Sequence, residues 1–381
     1  MTHMLFFVLA CTLPAFIVSV ITTLIVRQRA ESWGLVDNPN ARKVHKVPMP
    51  VGGGIGIWAG VVLPLAVAQL LIVNPGTRSW LAGVLPADVA IHLDGFVERS
   101  KLLWLILAGG TALSVMGLLD DLWNLPWKPR LALQVVVASG LVWAGVSATV
   151  FVPVPIVGKL ISVLWLLVLI NAFNFLDNMD GLSSGIALIG AVVFSIVMLS
   201  SIGDPRWLVG GVLLILAGSL SGFLVFNKPP ASIFMGDTGS YFIGLIMGSM
   251  TIVGTFYLNQ GSRHVILAPL LVLAVPLYDF CSVILIRLKE GRSPFHADKK
   301  HFSHRLVEIG IRPSRAVLTV HLATLTTGLG ALLLYEVQGW RPAMIITALV
   351  FCVLAIIAIL ETAGRTAAAH KQSESETNPD D

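Results

Sequence analysis

The chain has 381 residues, of which 56% are hydrophobic and only 12% are charged, about half the charge of a soluble domain. With a mean hydropathy of +0.85, this composition excludes a soluble globular domain and predicts an all-α, polytopic membrane bundle. The net charge of +4 and sequence pI of about 9.1 are no nucleic-acid signal, because the basic residues sit in short loops between apolar runs.

The first apolar run, Met4–Val26, has no basic residue ahead of it and no small-x-small cleavage site before Arg27. It is expected to be a retained first span rather than a signal peptide. Ten further spans are expected at roughly 51–73, 101–119, 130–150, 157–174, 181–201, 207–226, 239–258, 264–286, 315–337 and 342–361. Gly, Pro and charge separate most of them, as at Asn74-Pro75-Gly76 and Asp204-Pro205-Arg206. Gly52, Gly56 and Gly60 leave one face of the second span small, which suits close helix packing. Cys11, Cys281 and Cys352 lie in apolar runs without metal-ligand spacing and are expected to be buried small residues. Residues 1–361 are expected to form one membrane domain, and the polar segment 362–381 a disordered tail.

Lys and Arg concentrate on one side of these spans, at Arg27, Arg29, Arg42, Lys43, Lys46, Lys128, Arg130, Lys228 and the stretch from Arg287 to Arg315. That side is expected to be cytoplasmic, with the N-terminus outside and the C-terminus inside. Four polar clusters at span ends fall on the same side, and carboxylates beside hydrocarbon are costly unless they have a function.

The first cluster is Asp120-Asp121, at the end of the third span. Paired carboxylates at a helix C-terminus oppose the macrodipole, so a cation such as Mg²⁺ would relieve them, whereas a solvated helix end is the plainer reading. The second is Asn171, Asn174, Asp177 and Asp180, a polar face at the end of an apolar helix. Amides and carboxylates together suit sugar hydroxyls and a hydrated metal. The third is the loop Asn227–Ser240, where Asp237 to Ser240 open a helix whose N-terminus can seat a phosphate, and Phe234 can stack on a base or simply pack. The fourth holds His296, Asp298, His301, His304 and Arg305. Its Arg and Lys density fits a cradle for a nucleotide diphosphate better than a zinc site, which lacks a matching Cys. Asp279 is an intramembrane carboxylate inside the ninth span.

Five segments, taken in order, resemble the polyprenyl-phosphate N-acetylhexosamine-1-phosphate transferase family (glycosyl transferase family 4). They are GLVDNPNARKVHKVPMPVGGG at 34–54, GLLDD at 117–121, NAFNFLDNMDGL at 171–182, NKPPASIFMGDTGS at 227–240 and HADKKHFSHRL at 296–306. The resemblance implies transfer of GlcNAc-1-phosphate from a UDP-sugar to undecaprenyl phosphate with release of UMP, as a first membrane step of cell-envelope polysaccharide synthesis. It implies a bacterial inner-membrane location with the site facing the cytoplasm. A muramoyl-pentapeptide phosphotransferase of the same family and a lipid flippase without chemistry are the alternatives.

Carried over position by position, the resemblance makes Asp120, Asp121, Asp177 and Asp180 the catalytic carboxylates. Asp237, with Asp121, would ligate Mg²⁺ or Mn²⁺. Lys46, His45, Asn171, Asn174, Asn227, Phe234, His301, His304 and Arg305 would bind substrate. The expected partners are a UDP-N-acetylhexosamine, a polyprenyl phosphate and the membrane; nucleic acid is not expected, and a second copy of the chain is allowed. Asn178 stands where the family commonly has Gly, and Ser303 where it commonly has His.

Overall fold

The computed structural model describes residues 2–38, 47–85, 90, 93–148, 154–200, 206–256, 263–294 and 300–377. Its helices in chain order are α1 (Thr2–Arg29), α2 (Gly54–Val73), α3 (Pro75–Val84), α4 (Leu93–Trp123), α5 (Trp127–Trp143), α6 (Pro155–Leu176) and α7 (Leu182–Leu199). Then follow α8 (Trp207–Asn227), α9 (Asp237–Phe256), α10 (Ala268–Val272), α11 (Ala274–Lys289), α12 (Phe302–Glu308), α13 (Pro313–Glu336) and α14 (Trp340–Thr377). Two short strands, β1 (Val36–Asp37) and β2 (Met49–Pro50), pair antiparallel with Val36 opposite Pro50.

Local chemistry sets the breaks. At Asn74-Pro75-Gly76 the Asn74 side chain accepts the Gly76 N–H at 3.0 Å and Pro75 occupies the first turn of α3, an N-cap followed by proline. Pro155 and Pro313 also occupy the first turns of α6 and α13, without a side-chain cap before them. The small face of α2 packs as expected: Gly56 faces Thr23 and Ser19 of α1, and Gly60 faces Ser219 of α8.

Helices α7, α8 and α9 form the buried centre, and α1 and α14 the periphery. Among the described residues, eight helices are long and apolar enough to cross a membrane. The count becomes nine if the pair His264–Val272 and Ala274–Lys289, bent by 68°, is one broken span. Length and apolarity therefore do not reproduce the expected eleven. The two remaining expected spans are α5, which is 17 residues long and opens with Lys128 and Arg130, and α9, whose first turn carries Asp237, Thr238 and Ser240.

One further expectation changes. Cys281 and Cys352 are exposed on the helix surfaces rather than buried, because an apolar run in a membrane protein has an outward apolar face as well as a packed one. Helix α14 runs to Thr377, through the helix-favouring run Thr366-Ala367-Ala368-Ala369, and Gly364 packs on Ile309.

Candidate active site

Three helix ends from distant parts of the chain meet: the C-termini of α4 and α6 and the N-terminus of α9. Gly117 makes the first contact possible. A Cβ there would run into the backbone of Asp237 and Thr238, so α4 lies directly against the start of α9. Gly236 delivers the chain into α9 at φ +75°, and a Cβ there would run into the Asp121 carboxylate. Asp121 accepts the Asp237 N–H at 3.1 Å and the Thr238 hydroxyl at 3.1 Å. It thereby caps α9 from another helix, negative charge against the positive end of the dipole.

Asp237 is gripped through both oxygens. Oδ1 accepts from Asn174 Nδ2 at 2.7 Å. Oδ2 accepts from the Tyr241 hydroxyl at 2.8 Å and from Arg130 Nη1 at 3.2 Å. The same Nη1 pairs with Asp120 Oδ2 and donates to the Tyr241 hydroxyl oxygen at 3.2 Å. Asn174 reaches Ser240 Oγ at 3.1 Å, and Asn171 donates to Gln134 Oε1 at 2.8 Å. Asp177 follows α6, accepts the Gly236 N–H and lies close enough to Asp237 and Asp180 to feel both charges. Burial, then the Asp237 charge, pushes its carboxyl up to about 8.

The structure thus brings Asp120, Asp121, Asn174, Asp177 and Asp237 into one contact network, with Asn171 beside it. It draws in Thr238 and Ser240 of the stretch read as a phosphate seat, and adds Arg130, Gln134 and Tyr241, which sequence reasoning missed. Arg130 was legible only as a positive-inside charge. A usable signal existed: Arg130 and Gln134, like Asp237 and Tyr241, are polar residues four apart on otherwise apolar helices, hence on one face.

Other expected site residues serve the frame. Asp180 accepts the Ala231 N–H at 2.9 Å and ties down the loop before α9. Asn227 is buried. Its Oδ1 accepts from Gly181 N–H at 3.0 Å and Ser184 Oγ at 3.2 Å, while its Nδ2 donates to the Ile233 carbonyl at 3.0 Å. Phe234 pairs by backbone with Pro50 and Gly53 and packs against the small cluster of Ala30, Leu35 and Val51. Arg305 is 2% exposed and paired with Glu361 at 2.9 Å, and His301 is 6% exposed and bonded to Asp279 at 2.9 Å. His304 is half-buried. His45, Lys46, His296 and Asp298 lie outside the described residues. The two departures from the family pattern touch each other: Ser303 Oγ donates to Asn178 Oδ1 at 2.6 Å.

The donor set suits one kind of metal. No group of three or more His, Cys, Asp or Glu poised to hold a metal ion occurs among the described residues, which does not describe a closed protein cage. Asp120 and Asp237 pair with Arg130, and Asp121 and Asp177 lie beside Asp237. Such a cluster would fit Mg²⁺, which takes one or two carboxylates and fills its shell with water and substrate phosphate.

The signature of glycosyl transferase family 4 matches residues 103–255. The "Decaprenyl-phosphate N-acetylglucosaminephosphotransferase" of Mycolicibacterium smegmatis is 38% identical over 81% of this chain and 78% of its own length. The chain belongs to glycosyl transferase family 4. Family membership makes it a phosphoglycosyl transferase of the membrane-embedded kind. Two other members are the "Probable undecaprenyl-phosphate N-acetylglucosaminyl 1-phosphate transferase" of Bacillus subtilis and the "Undecaprenyl-phosphate alpha-N-acetylglucosaminyl 1-phosphate transferase" of Escherichia coli K12. The first is 31% identical over 88% of each chain. The second is 26% identical over 84% of this chain and 82% of its own. The family 4 signature spans Asp120, Asp121, Arg130, Asn174, Asp177 and Asp237, so the whole carboxylate network falls within it.

Proposed function

We propose that this family 4 transferase moves GlcNAc-1-phosphate from UDP-GlcNAc to undecaprenyl or a similar polyprenyl phosphate, with Mg²⁺ as cofactor and Mn²⁺ as a substitute. The site would face the cytoplasm of a bacterial inner membrane, as the Lys and Arg bias suggests. The observation that carries the reading is the carboxylate network at the polar ends of apolar helices, with Asp237 held rigid by Asn174, Tyr241 and Arg130. Rigid charge at the lipid boundary is what a reaction between a water-soluble diphosphate and a lipid phosphate requires.

An oxygen of the acceptor phosphate attacks the β-phosphorus of the UDP-sugar. The bond from that phosphorus to the oxygen bridging to the α-phosphorus breaks, and UMP leaves with the electron pair. A polyprenyl-diphospho-GlcNAc remains. A phosphate monoester is already anionic at neutral pH, so positioning and charge neutralisation carry the catalysis. Mg²⁺, held by Asp237 and Asp121, would neutralise diphosphate charge when bound. Arg130 keeps Asp120 and Asp237 at fixed separation, and Asn174 orients the Asp237 carboxylate.

The test is radiolabelled UMP release by purified protein from UDP-GlcNAc with undecaprenyl phosphate, with and without Mg²⁺. UDP-MurNAc-pentapeptide is run in parallel. Release that needs UDP-GlcNAc, the lipid and the metal together supports the reading. Release only from the pentapeptide donor moves the chain to that branch, and no release from either donor rejects the assignment.

A further inference from the structure

A second buried polar network lies outside the carboxylate site, and the proposed chemistry leaves it unused. Asp279 of α11 is 0% exposed. Its Oδ2 accepts from His301 Nδ1 at 2.9 Å and its Oδ1 from the Phe302 N–H at 2.6 Å. Both oxygens are therefore spent on the start of α12. Glu361 of α14 is 4% exposed. Its Oε2 forms an ion pair with Arg305 Nε at 2.9 Å and accepts from the Tyr278 hydroxyl at 3.3 Å. Arg305 also donates to Ser282 Oγ at 3.0 Å. Burying two carboxylates is costly, and apolar residues of the same volume would often be at least as stabilising.

The network touches the site through α6. The His301 ring lies 5.5 Å from the Phe175 ring, and Arg287 lies 5.0 Å over the same ring. Ser303 bonds Asn178. Phe175 and Asn178 flank Asp177, and the neighbouring Asn174 holds Asp237. Any shift of α12 is thus passed to the residues that shape the carboxylate cluster.

We propose that Asp279 and Glu361 are positioning residues that fix α12 against the end of α6, and so hold in place the Phe175–Asn178 stretch that shapes the carboxylate cluster. The claim rests on the function proposed above. His301 and the Phe302 backbone thus engage both oxygens of Asp279. Arg305, spent on Glu361, acts as a tie rather than as a ligand for diphosphate.

Asp279→Asn and Glu361→Gln keep side-chain shape. The first offers one oxygen to two donors, and the second removes the charge opposite Arg305. Thermal unfolding in detergent establishes that each variant folds. Folded variants are expected to show a kcat for UMP release lowered at least tenfold, with the KM for either substrate changed less than threefold. Amide exchange should accelerate at least tenfold across residues 300–308 and stay unchanged across 237–245. Unchanged kcat and unchanged exchange in both folded variants overturn the proposal, as does a loss confined to KM. If wild-type protein releases no UMP, the proposed function fails instead. Exchange across 300–308 then decides the positioning claim alone, and retained protection in Asp279→Asn overturns it.

Discussion

Arg130 is the one cation in the carboxylate network among the described residues, and its removal tests how that network works. Its contacts there run through one nitrogen, Nη1, to Asp120, Asp237 and Tyr241. Its side chain is 27% exposed, against 9% for Asp120. Breaking a fully buried pair costs about 3–5 kcal/mol, and an exposed pair is worth about 0.2–1 kcal/mol. A partly screened site falls between, at about 2–3 kcal/mol. At 1.36 kcal/mol per tenfold in rate, Arg130→Ala should lower kcat/KM for UMP release roughly 30- to 150-fold. Because a single nitrogen makes the contacts, a lysine ammonium with three donors can replace it. Arg130→Lys should therefore stay within about fivefold of wild type, while Arg130→Gln should resemble Arg130→Ala. The assay is UMP release at saturating Mg²⁺ with both substrates varied. A lysine variant as impaired as the alanine variant would show that the guanidinium fork, not one charged nitrogen, is needed. An alanine variant with near-normal turnover would show that the four carboxylates need no internal counter-charge.

Asp237→Asn in detergent-stable protein should abolish Mg²⁺-dependent UMP release, since Asn174, Tyr241 and Arg130 would then hold a neutral amide; near-normal turnover would refute the metal role. Asn178→Gly and Ser303→His should each lower activity by breaking their hydrogen bond, and a double-mutant cycle should show coupling of about 0.5–3 kcal/mol. Strict additivity would mean that the two positions act separately. Stability without metal should depend on pH through Asp177. Its carboxyl is raised from 3.8 to about 8, so between those values the folded state holds a proton that the unfolded state has lost. Metal-free protein should therefore lose stability as pH rises from about 5 toward 8, and Asp177→Asn should flatten that slope in a melting series.

The carboxylate clusters were legible because an acid interrupts an apolar run at a cost that only a function offsets, and because span parity placed Asp120, Asp177 and Asp237 on one side. Their contact partners were not. Arg130 looks like any loop-flanking charge, and only tertiary packing through Gly117 and Gly236 carries Asp237 to it. The basic segment was read by composition as a cradle, which holds only while its charges are unspent. Glu361, placed far along the chain in a segment whose end read as a tail, takes Arg305. Asp279, read as an isolated intramembrane acid, takes His301. Helix count was the least legible quantity. A central helix such as α9 need not be apolar throughout when protein rather than lipid surrounds it.

Binding of Mn²⁺, followed by its paramagnetic resonance signal while UDP-GlcNAc is titrated, addresses the union of the three helix ends most directly. One ion per chain should bind in wild-type protein, and both Asp121→Asn and Asp237→Asn should lose it although they lie on different helices. Undiminished binding in either folded variant would contradict a metal held jointly by α4 and α9.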